Sequence, residues 1–198
     1  MIKNTGYDFL LGAPDMQHKS PGKFLFFASG GQVHKGLDLL LEVFAAESDL
    51  ELFVCSSFAA EHDFCDTYQK ELYGCSRIHP VGFVDIRSEA FRDIIDQCSY
   101  VIMPSCSEGI AGSILTAMSA GLIPIVSREC GFADDEVIHL PSCELAVIRQ
   151  TCREYADKPL AWIRQEANKS VAIVSSRYNE ARYAESVLTA MQALNLIV

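Results

Sequence analysis

The chain has 198 residues, of which 49% are hydrophobic and 21% charged, and its formal net charge at pH 7 is −10. This length fits one domain whose core folds without a metal or disulfide staple. The negative charge disfavours nucleic acid as a partner, although a few local donors can still hold a phosphate. No signal-like segment or membrane-length apolar run is found, so we expect a cytoplasmic protein, with peripheral membrane contact left open.

Eight cysteines are spread along the chain, and no two of them form a CxxC pair. Several lie in apolar runs, where a free cysteine behaves as a small hydrophobic residue. We therefore expect reduced thiols, with neither a disulfide framework nor a structural zinc site.

The first 23 residues are rich in glycine, proline and polar side chains, which predicts a linker or hinge segment with one short element at residues 9–11. From Phe24 onward, short apolar runs typical of buried strands alternate with stretches of helical periodicity. The predicted strands are 24–28, 50–55, 78–83, 100–103, 122–127 and 137–140. Pro124 weakens the fifth of them, because proline donates no hydrogen bond to a ladder.

Apolar residues at helical spacing mark a helix after each of the first four strands, and the second of these helices carries Phe64, Tyr68 and Leu72 on one face. Three further helices follow, over 143–155, from Pro159, and after Asn179. We therefore predict an α/β domain over residues 24–198. It is a doubly wound, mostly parallel, Rossmann-like sheet of about six strands with helices on both faces and a helical C-terminus.

In such sheets ligands bind beyond the carboxyl ends of the strands, which draws attention to the loops after the first and fourth strands. The first loop, 29–36, contains Gly30, Gly31 and Lys35 and enters a helix. Its glycines let the backbone approach an anion, and Lys35 adds a point charge. The spacing fits neither GxGxxG nor a P-loop, so this loop alone is equally typical of a tight strand-to-helix turn.

The second loop, 104–113, surrounds Glu108 with small residues before another helix. Such a turn exposes backbone amides, and Glu108 is suited to accept hydrogen bonds from sugar hydroxyls. The alternative is a helix-start carboxylate stabilised by the helix dipole. The acidic run 134–136 is expected to be a solvated loop, not a metal site.

Taken together, these segments resemble the C-terminal domain of the group-1 family of retaining glycosyltransferases, which have the GT-B fold. The resemblance covers roughly Phe24 to Phe132. The segments that carry it are Gly31 with 35–38, then 78–84, 100–105, 108–109, 117–121, 124–126 and 130–131.

The resemblance implies a domain that binds a nucleotide diphosphate sugar without a cofactor or a bound metal. Lys35 corresponds to the lysine that grips the diphosphate, and Phe83 and Val84 lie near the base. Glu108 faces the donor sugar and is the candidate catalytic residue. The full set of implied donor-binding residues is Gly30, Gly31, Lys35, Phe83, Val84, Glu108, Gly109, Ile110, Ala111, Gly112 and Thr116.

The sequence departs from the family at three positions. Thr116 stands where a second glutamate usually holds the ribose hydroxyls, and Gly30–Gly31 lacks the arginine often found in the first loop. Pro124 comes one residue later than is common. The family also places its donor in a cleft against an N-terminal acceptor-binding domain, which 198 residues do not accommodate.

These observations lead to the hypothesis that the chain is the donor-binding half of a hexosyltransferase-like enzyme of polysaccharide or glycan biosynthesis, inactive in isolation. Its partners would be the nucleotide-sugar donor and the missing N-terminal domain. Two alternatives stay open. One is a non-catalytic nucleotide- or sugar-binding module of the same fold, and the other is a different doubly wound protein, such as a sugar-nucleotide epimerase or a receiver-like domain.

Overall fold

A computed structural model describes residues 4–5 and 18–194. The short element predicted at 9–11, and most of the predicted linker, lie outside the described residues. The strands are β1 (Ser20–Phe27), β2 (Glu51–Cys55), β3 (Ile78–Pro80), β4 (Cys98–Met103), β5 (Ile123–Val126) and β6 (Ile138–His139). The helices are α1 (Leu37–Ala45), α2 (His62–Thr67), α3 (Gln69–Gly74), α4 (Glu89–Gln97), α5 (Gly112–Ser119), α6 (Leu145–Ala156), α7 (Leu160–Arg177) and α8 (Glu180–Ala193).

The six strands form one sheet in the order β3-β2-β1-β4-β5-β6, and every neighbouring pair is parallel. The chain runs outward from β1 to β3 on one side and from β4 to β6 on the other, so the topological switch point lies between β1 and β4. The predicted fold class is confirmed. A ligand is expected beyond the carboxyl ends of these two central strands.

Aromatic residues show how the two helical layers cover the sheet. Phe24 of β1 stacks on Tyr100 of β4 with ring centroids 5.0 Å apart, and it meets Phe44 of α1 edge-on at 5.4 Å. Phe27, three residues further along β1, points to the opposite face and packs on Phe91 of α4 at 4.9 Å. Both faces are thus covered, which explains why β4 is buried at all of its positions.

Three predicted elements differ most from the structure. The third strand ends at Pro80 and not at residue 83, so Phe83 lies in the loop after it; the other two are the first strand and the second helix. β1 begins at Ser20, so four residues assigned to the linker belong to the sheet. The single helix expected through Phe64 and Leu72 is two short helices that meet at Tyr68, whose backbone departs from helical geometry. The hydroxyl of Thr67 donates to the Asp63 carbonyl at 2.8 Å, a local bond that tends to bend a helix.

Pro124 lies inside β5, between β4 and β6. The Val126 carbonyl accepts from Leu140 on the β6 side, whereas the Ser127 amide donates to Met103 on the β4 side. Because backbone groups alternate along a strand, the Pro124 nitrogen faces the β6 side, where β6 pairs only with the two residues that follow. The proline therefore removes no hydrogen bond from the ladder with β4.

The acidic run 134–136 is only partly solvated, so the expectation was wrong for Glu136. Its side chain is 5% exposed. One carboxylate oxygen accepts from the Tyr178 hydroxyl at 2.6 Å and the Ala133 amide at 3.0 Å, and the other pairs with Arg177 at 3.0 Å. A buried carboxylate needs such partners. These bonds fasten the end of α7 to the loop before β6.

Replacing Tyr178 with phenylalanine is expected to lower the free energy of unfolding at pH 7 by about 1.5–3 kcal/mol, the range for a hydrogen bond to a charged group. Burial raises the pKa of Glu136, but the bonds from Tyr178, Ala133 and Arg177 outweigh it and hold the pKa below its usual 4.5. This stabilisation is present above pH 4.5 and is lost as the pH falls through the folded-state pKa.

Urea unfolding followed across pH 3–7 checks this prediction. In the Tyr178→Phe protein the loss of stability on acidification should begin at a higher pH, since the Glu136 carboxylate has lost a donor. Tyr183→Phe is the matched control, because that ring is 44% exposed. Equal stability of the two variants would contradict the assignment.

The last helix differs from the others in its packing. Within the described chain, α8 buries none of its side chains, and Tyr183 and Leu188 on its predicted apolar face are 44% and 53% exposed. Asn179 caps its start by accepting from the Arg182 amide at 2.9 Å. None of the helices described between residues 18 and 194 is both long and apolar enough to cross a bilayer.

Candidate functional site

A cavity of about 680 Å³ opens at the carboxyl edge of the sheet, at the switch point between β1 and β4. Its walls come from the ends of β1 and β2, the loop after β3, and the start of α5. The lining residues are Phe27, Ala28, Ser29, Lys35, Cys55, Phe83, Val84, Asp85, Ile86, Glu108, Ala111, Gly112, Ser113 and Thr116. Seven of the residues singled out from the sequence are among them: Lys35, Phe83, Val84, Glu108, Ala111, Gly112 and Thr116.

Lys35 and Glu108 form an ion pair across this cavity. They belong to the loops after β1 and β4 and are 73 residues apart in the sequence. Their side chains are 15% and 18% exposed, so both charges are largely withdrawn from solvent but still reachable from the cavity. The two predicted loops therefore do converge above one sheet edge.

Gly36, the residue after Lys35, lies where the two loops come into close contact. It has φ +74°, a left-handed conformation that favours glycine, and a Cβ there would lie 2.4 Å from the Pro104 carbonyl oxygen. The loop is closed by hydrogen bonds from the Lys35 amide to Gly31 and from the Leu37 amide to Gln32, both at 2.9 Å. This tight turn brings the first loop against the start of the second.

Gly30 and Gly31 are not among the residues that line the cavity. The amide of Gly31 donates to the Glu61 carboxylate at 2.6 Å, and both the amide and the side chain of Gln32 donate to the same group. The first loop therefore does hold an anion, as its glycines suggested, but the anion is a carboxylate of this chain. Glu61 follows the short turn after β2 and gave no signal in the sequence.

His34 connects the first loop to the second through its backbone carbonyl and its ring. Its carbonyl accepts from the Cys106 amide at 3.0 Å and from the Ser105 hydroxyl at 3.1 Å. Its ring Nε2 contacts the Ser107 carbonyl at 2.5 Å, and its Nδ1 lies 3.3 Å from the Cys106 thiol. These contacts fix the distance between the loop of Lys35 and the loop of Glu108.

The Glu108 loop is held from its other side by the segment after β5. The Glu108 amide donates to the Glu129 carbonyl at 2.9 Å, and the Ser127 hydroxyl donates to the Ser105 carbonyl at 2.5 Å. Gly109 and Ile110 do not line the cavity; the Ile110 carbonyl instead accepts from the Asn4 side chain at 2.8 Å. Of the residues predicted to offer backbone amides, Ala111 and Gly112 line the cavity.

The start of α5 forms the wall beside the ion pair. Ala111 occupies the N-cap position and Gly112 is the first helical residue, and no side chain caps the helix. Unpaired amides and the helix dipole make such a helix start attractive to anions. One turn further, Thr116 also lines the cavity and is 6% exposed, so a hydroxyl stands where the family has a carboxylate.

The opposite wall is mainly apolar. Phe83 is 79% exposed although it is a large hydrophobic residue, and Phe27, Val84 and Ile86 lie beside it. Burial raises the pKa of the Cys55 thiol at the end of β2 to about 12, so it is neutral at physiological pH. The cavity thus combines a charged end at Lys35 with an apolar end at Phe83.

Among the described residues, no group of three or more histidine, cysteine, aspartate or glutamate side chains has a geometry that could hold a metal ion. The positive charge at the cavity comes from Lys35 and the α5 amides.

The fold and the site define a doubly wound α/β domain with an anion-attracting cavity at its switch point. The sequence profile of the family described as "Glycosyl transferases group 1" matches residues 21–165, so the chain belongs to that family. Membership excludes the epimerase and receiver alternatives.

Solved structures with the same fold support this assignment. Anabaena Alr3699/HepE, in complex with UDP and glucose, superposes with a TM-score of 0.70 at 14% identity, over 90% of this chain and 49% of that chain. WaaG, a glycosyltransferase involved in lipopolysaccharide biosynthesis, gives 0.65 at 15% identity, over 96% and 55%. The catalytic domain of the cholesterol-α-glucosyltransferase from Helicobacter pylori gives 0.59 at 16% identity, over 79% and 98%.

At these identities the likeness establishes the fold of the chain, a Rossmann-like α/β domain of the GT-B type. The chain spans about half the length of the first two of these structures. No curated protein sequence showed significant similarity to the chain.

Proposed function

We propose that this chain is the donor-binding half of a retaining glycosyltransferase that transfers a sugar from a nucleotide diphosphate sugar to an acceptor. The observation that carries the proposal is the convergence of Lys35 and Glu108 above the sheet edge, beside the uncapped start of α5. In its free form the chain pairs these charges with each other. A diphosphate competes for Lys35 and releases Glu108 toward the sugar.

Each part of the donor has a matching part of the cavity. The diphosphate lies against Lys35 and the amides of Ala111 and Gly112, and the base lies against the apolar wall at Phe83 and Val84. Glu108 accepts hydrogen bonds from sugar hydroxyls and is the catalytic candidate. The charge that develops on the leaving diphosphate is met by Lys35 and the helix start, and no metal is required.

The acceptor and the remaining catalytic groups come from an N-terminal half, so the chain alone has little or no transferase activity. The enzyme acts at the cytoplasmic side in glycan biosynthesis, with peripheral membrane contact made through the whole protein. The HepE complex with UDP and glucose supports a nucleotide-sugar donor for this fold.

Calorimetric titration with UDP, GDP and ADP, and with their glucose conjugates, tests donor binding. We expect a Kd of about 1 mM for at least one nucleotide, equivalent to about −4 kcal/mol, because half of the cleft is missing. If no nucleotide of the panel shows measurable binding at several millimolar, the result would contradict the proposal.

Glu108→Gln is expected to separate the two halves of the donor. The variant should bind the nucleoside diphosphate about three- to tenfold more tightly, because Lys35 no longer pairs with a carboxylate and a like charge is removed. The extra affinity for the nucleotide sugar over the nucleoside diphosphate should be smaller, because the glutamine amide is a weaker acceptor than the glutamate carboxylate. Glu129→Gln is the control, since the hydrogen bond from the Glu108 amide goes to the Glu129 backbone carbonyl, which the substitution keeps. A weaker affinity for the diphosphate would show that Glu108 does not compete with it.

A non-catalytic binding module is the second candidate. Thr116 in place of a carboxylate and the absence of a basic side chain at Gly30 and Gly31 favour it. The test is to join the chain to the N-terminal half of its parent protein and to assay transfer. Turnover that disappears with Lys35→Ala and Glu108→Ala would rule this candidate out.

A further inference from the structure

Cys106 and His34 form a close pair on the loops that carry Glu108 and Lys35, and neither residue lines the cavity. The Cys106 thiol lies 3.3 Å from the His34 Nδ1, and both residues are exposed. They come from different loops, 72 residues apart in the sequence. Neither side chain is used by the donor site proposed above.

The backbone sets the tautomer of His34. Its Nε2 lies 2.5 Å from the Ser107 carbonyl, and a carbonyl only accepts, so Nε2 carries the proton. In the neutral ring Nδ1 is then the free acceptor, and it faces the Cys106 thiol. A nucleophile, a base within hydrogen-bond reach and a third group that orients the base make up the arrangement that activates cysteines in enzymes.

The other cysteines lack this combination. All eight are free thiols, and Cys55, Cys98, Cys130 and Cys152 are buried. Burial raises the pKa of Cys55 and of Cys152 to about 12, which leaves them in the unreactive thiol form. Among the eight, Cys106 alone has an exposed side chain.

We propose that Cys106 is a modification site for low-molecular-weight disulfides, with His34 as its general base. His34 Nδ1 takes the thiol proton, and the thiolate attacks one sulfur of the disulfide. The S–S bond of the small molecule breaks as the new one forms. The departing thiolate receives the proton from the imidazolium, so one small disulfide yields one protein mixed disulfide and one small thiol.

The adduct would sit where the two loops meet. The adduct takes the Cys106 sulfur away from the His34 ring. His34 is the residue before Lys35 on one loop, and Cys106 is two residues before Glu108 on the other. Modification should therefore weaken nucleotide binding. This consequence rests on the proposed function, whereas the modification itself does not.

The test is reaction of the folded chain with oxidised glutathione, followed by intact mass and peptide mapping. We expect the first equivalent on Cys106. His34→Gln keeps an amide donor for the Ser107 carbonyl but removes the base, so the Cys106 rate should fall about tenfold, because no neighbouring group then takes the thiol proton. The matched reference is Cys75, a half-buried cysteine before β3, whose rate should be unchanged.

The ratio of the Cys106 rate to the Cys75 rate corrects for any general loss of structure in the variant, which would affect both cysteines. An unchanged ratio, or a first equivalent on another cysteine, would overturn the proposal. Nucleotide titration of the modified and unmodified chains then separates the two ideas. If the unmodified chain binds no nucleotide, the proposed function fails while the mapping result stands on its own.

Discussion

Replacing Lys35 with methionine is expected to weaken binding of every nucleoside diphosphate by about 30- to 150-fold. Methionine preserves the length of the side chain but removes the ammonium group, which is the only side-chain cation lining the cavity within the described residues. A hydrogen bond to a charged group contributes about 2–3 kcal/mol, which converts to this change in Kd. The loss should be similar for uridine, guanosine and adenosine diphosphates, because Lys35 contacts the part they share.

Calorimetry at fixed ionic strength measures the effect, with Lys169→Met as the matched control. Lys169 lies on α7 and does not line the cavity, and its side chain is 52% exposed beside Glu166. Its replacement should leave the Kd within a factor of two, since an exposed ion pair contributes about 0–1 kcal/mol at most. Equal effects of the two substitutions would remove Lys35 from the binding site.

Replacing Gly36 with alanine should lower the free energy of unfolding by about 2–5 kcal/mol. Two costs add at this position. The left-handed φ of +74° costs an L-residue about 1–2 kcal/mol. The added Cβ would also lie 2.4 Å from the Pro104 carbonyl oxygen, a backbone atom that moves only if the two loops separate.

Two other glycines separate these costs. Gly82 has φ +86° with nothing within 4 Å of an added Cβ, so Gly82→Ala should lose only about 1–2 kcal/mol. Gly74 ends α3 with the same open space, so Gly74→Ala should be neutral or stabilise by up to about 1 kcal/mol. Urea unfolding followed by the fluorescence of the single tryptophan, Trp162, ranks all three. If Gly36→Ala and Gly82→Ala unfold alike, the loops are not in the tight contact described.

The fold could be predicted because its signals are local. Continuous apolar runs such as 100–103 mark strands buried on both faces, and helical spacing between them implies parallel crossovers. Local signals also limited the accuracy of the boundaries. Ser20 and Lys23 pair with neighbouring strands although their side chains are polar. The break at Tyr68 lies beside the bond from the Thr67 hydroxyl to the Asp63 carbonyl, which apolar periodicity does not reveal.

The candidate site was predictable only in part. Lys35 and Glu108 each follow a strand, so topology brings them to one edge, and the structure pairs them there. Glu61 and His34 were missed because their roles depend on partners about 30 and 72 residues away in sequence. The glycines of the first loop predict backbone amides that face an anion, and in the structure the Gly31 amide donates to the Glu61 carboxylate. They carried no information on whether that anion is a ligand or a side chain of the protein.

The absence of buried side chains on α8 separates the energetics of that helix from those of the sheet. Cooperative unfolding joins segments that share a core, and the last segment that does so is the end of α7 with Tyr178, which is 3% exposed. We therefore expect the cooperative unfolding of the sheet to include the chain only as far as Asn179. We expect the helix beyond it to unfold at a lower free energy than the sheet, because only half-buried side chains attach it to the rest of the domain.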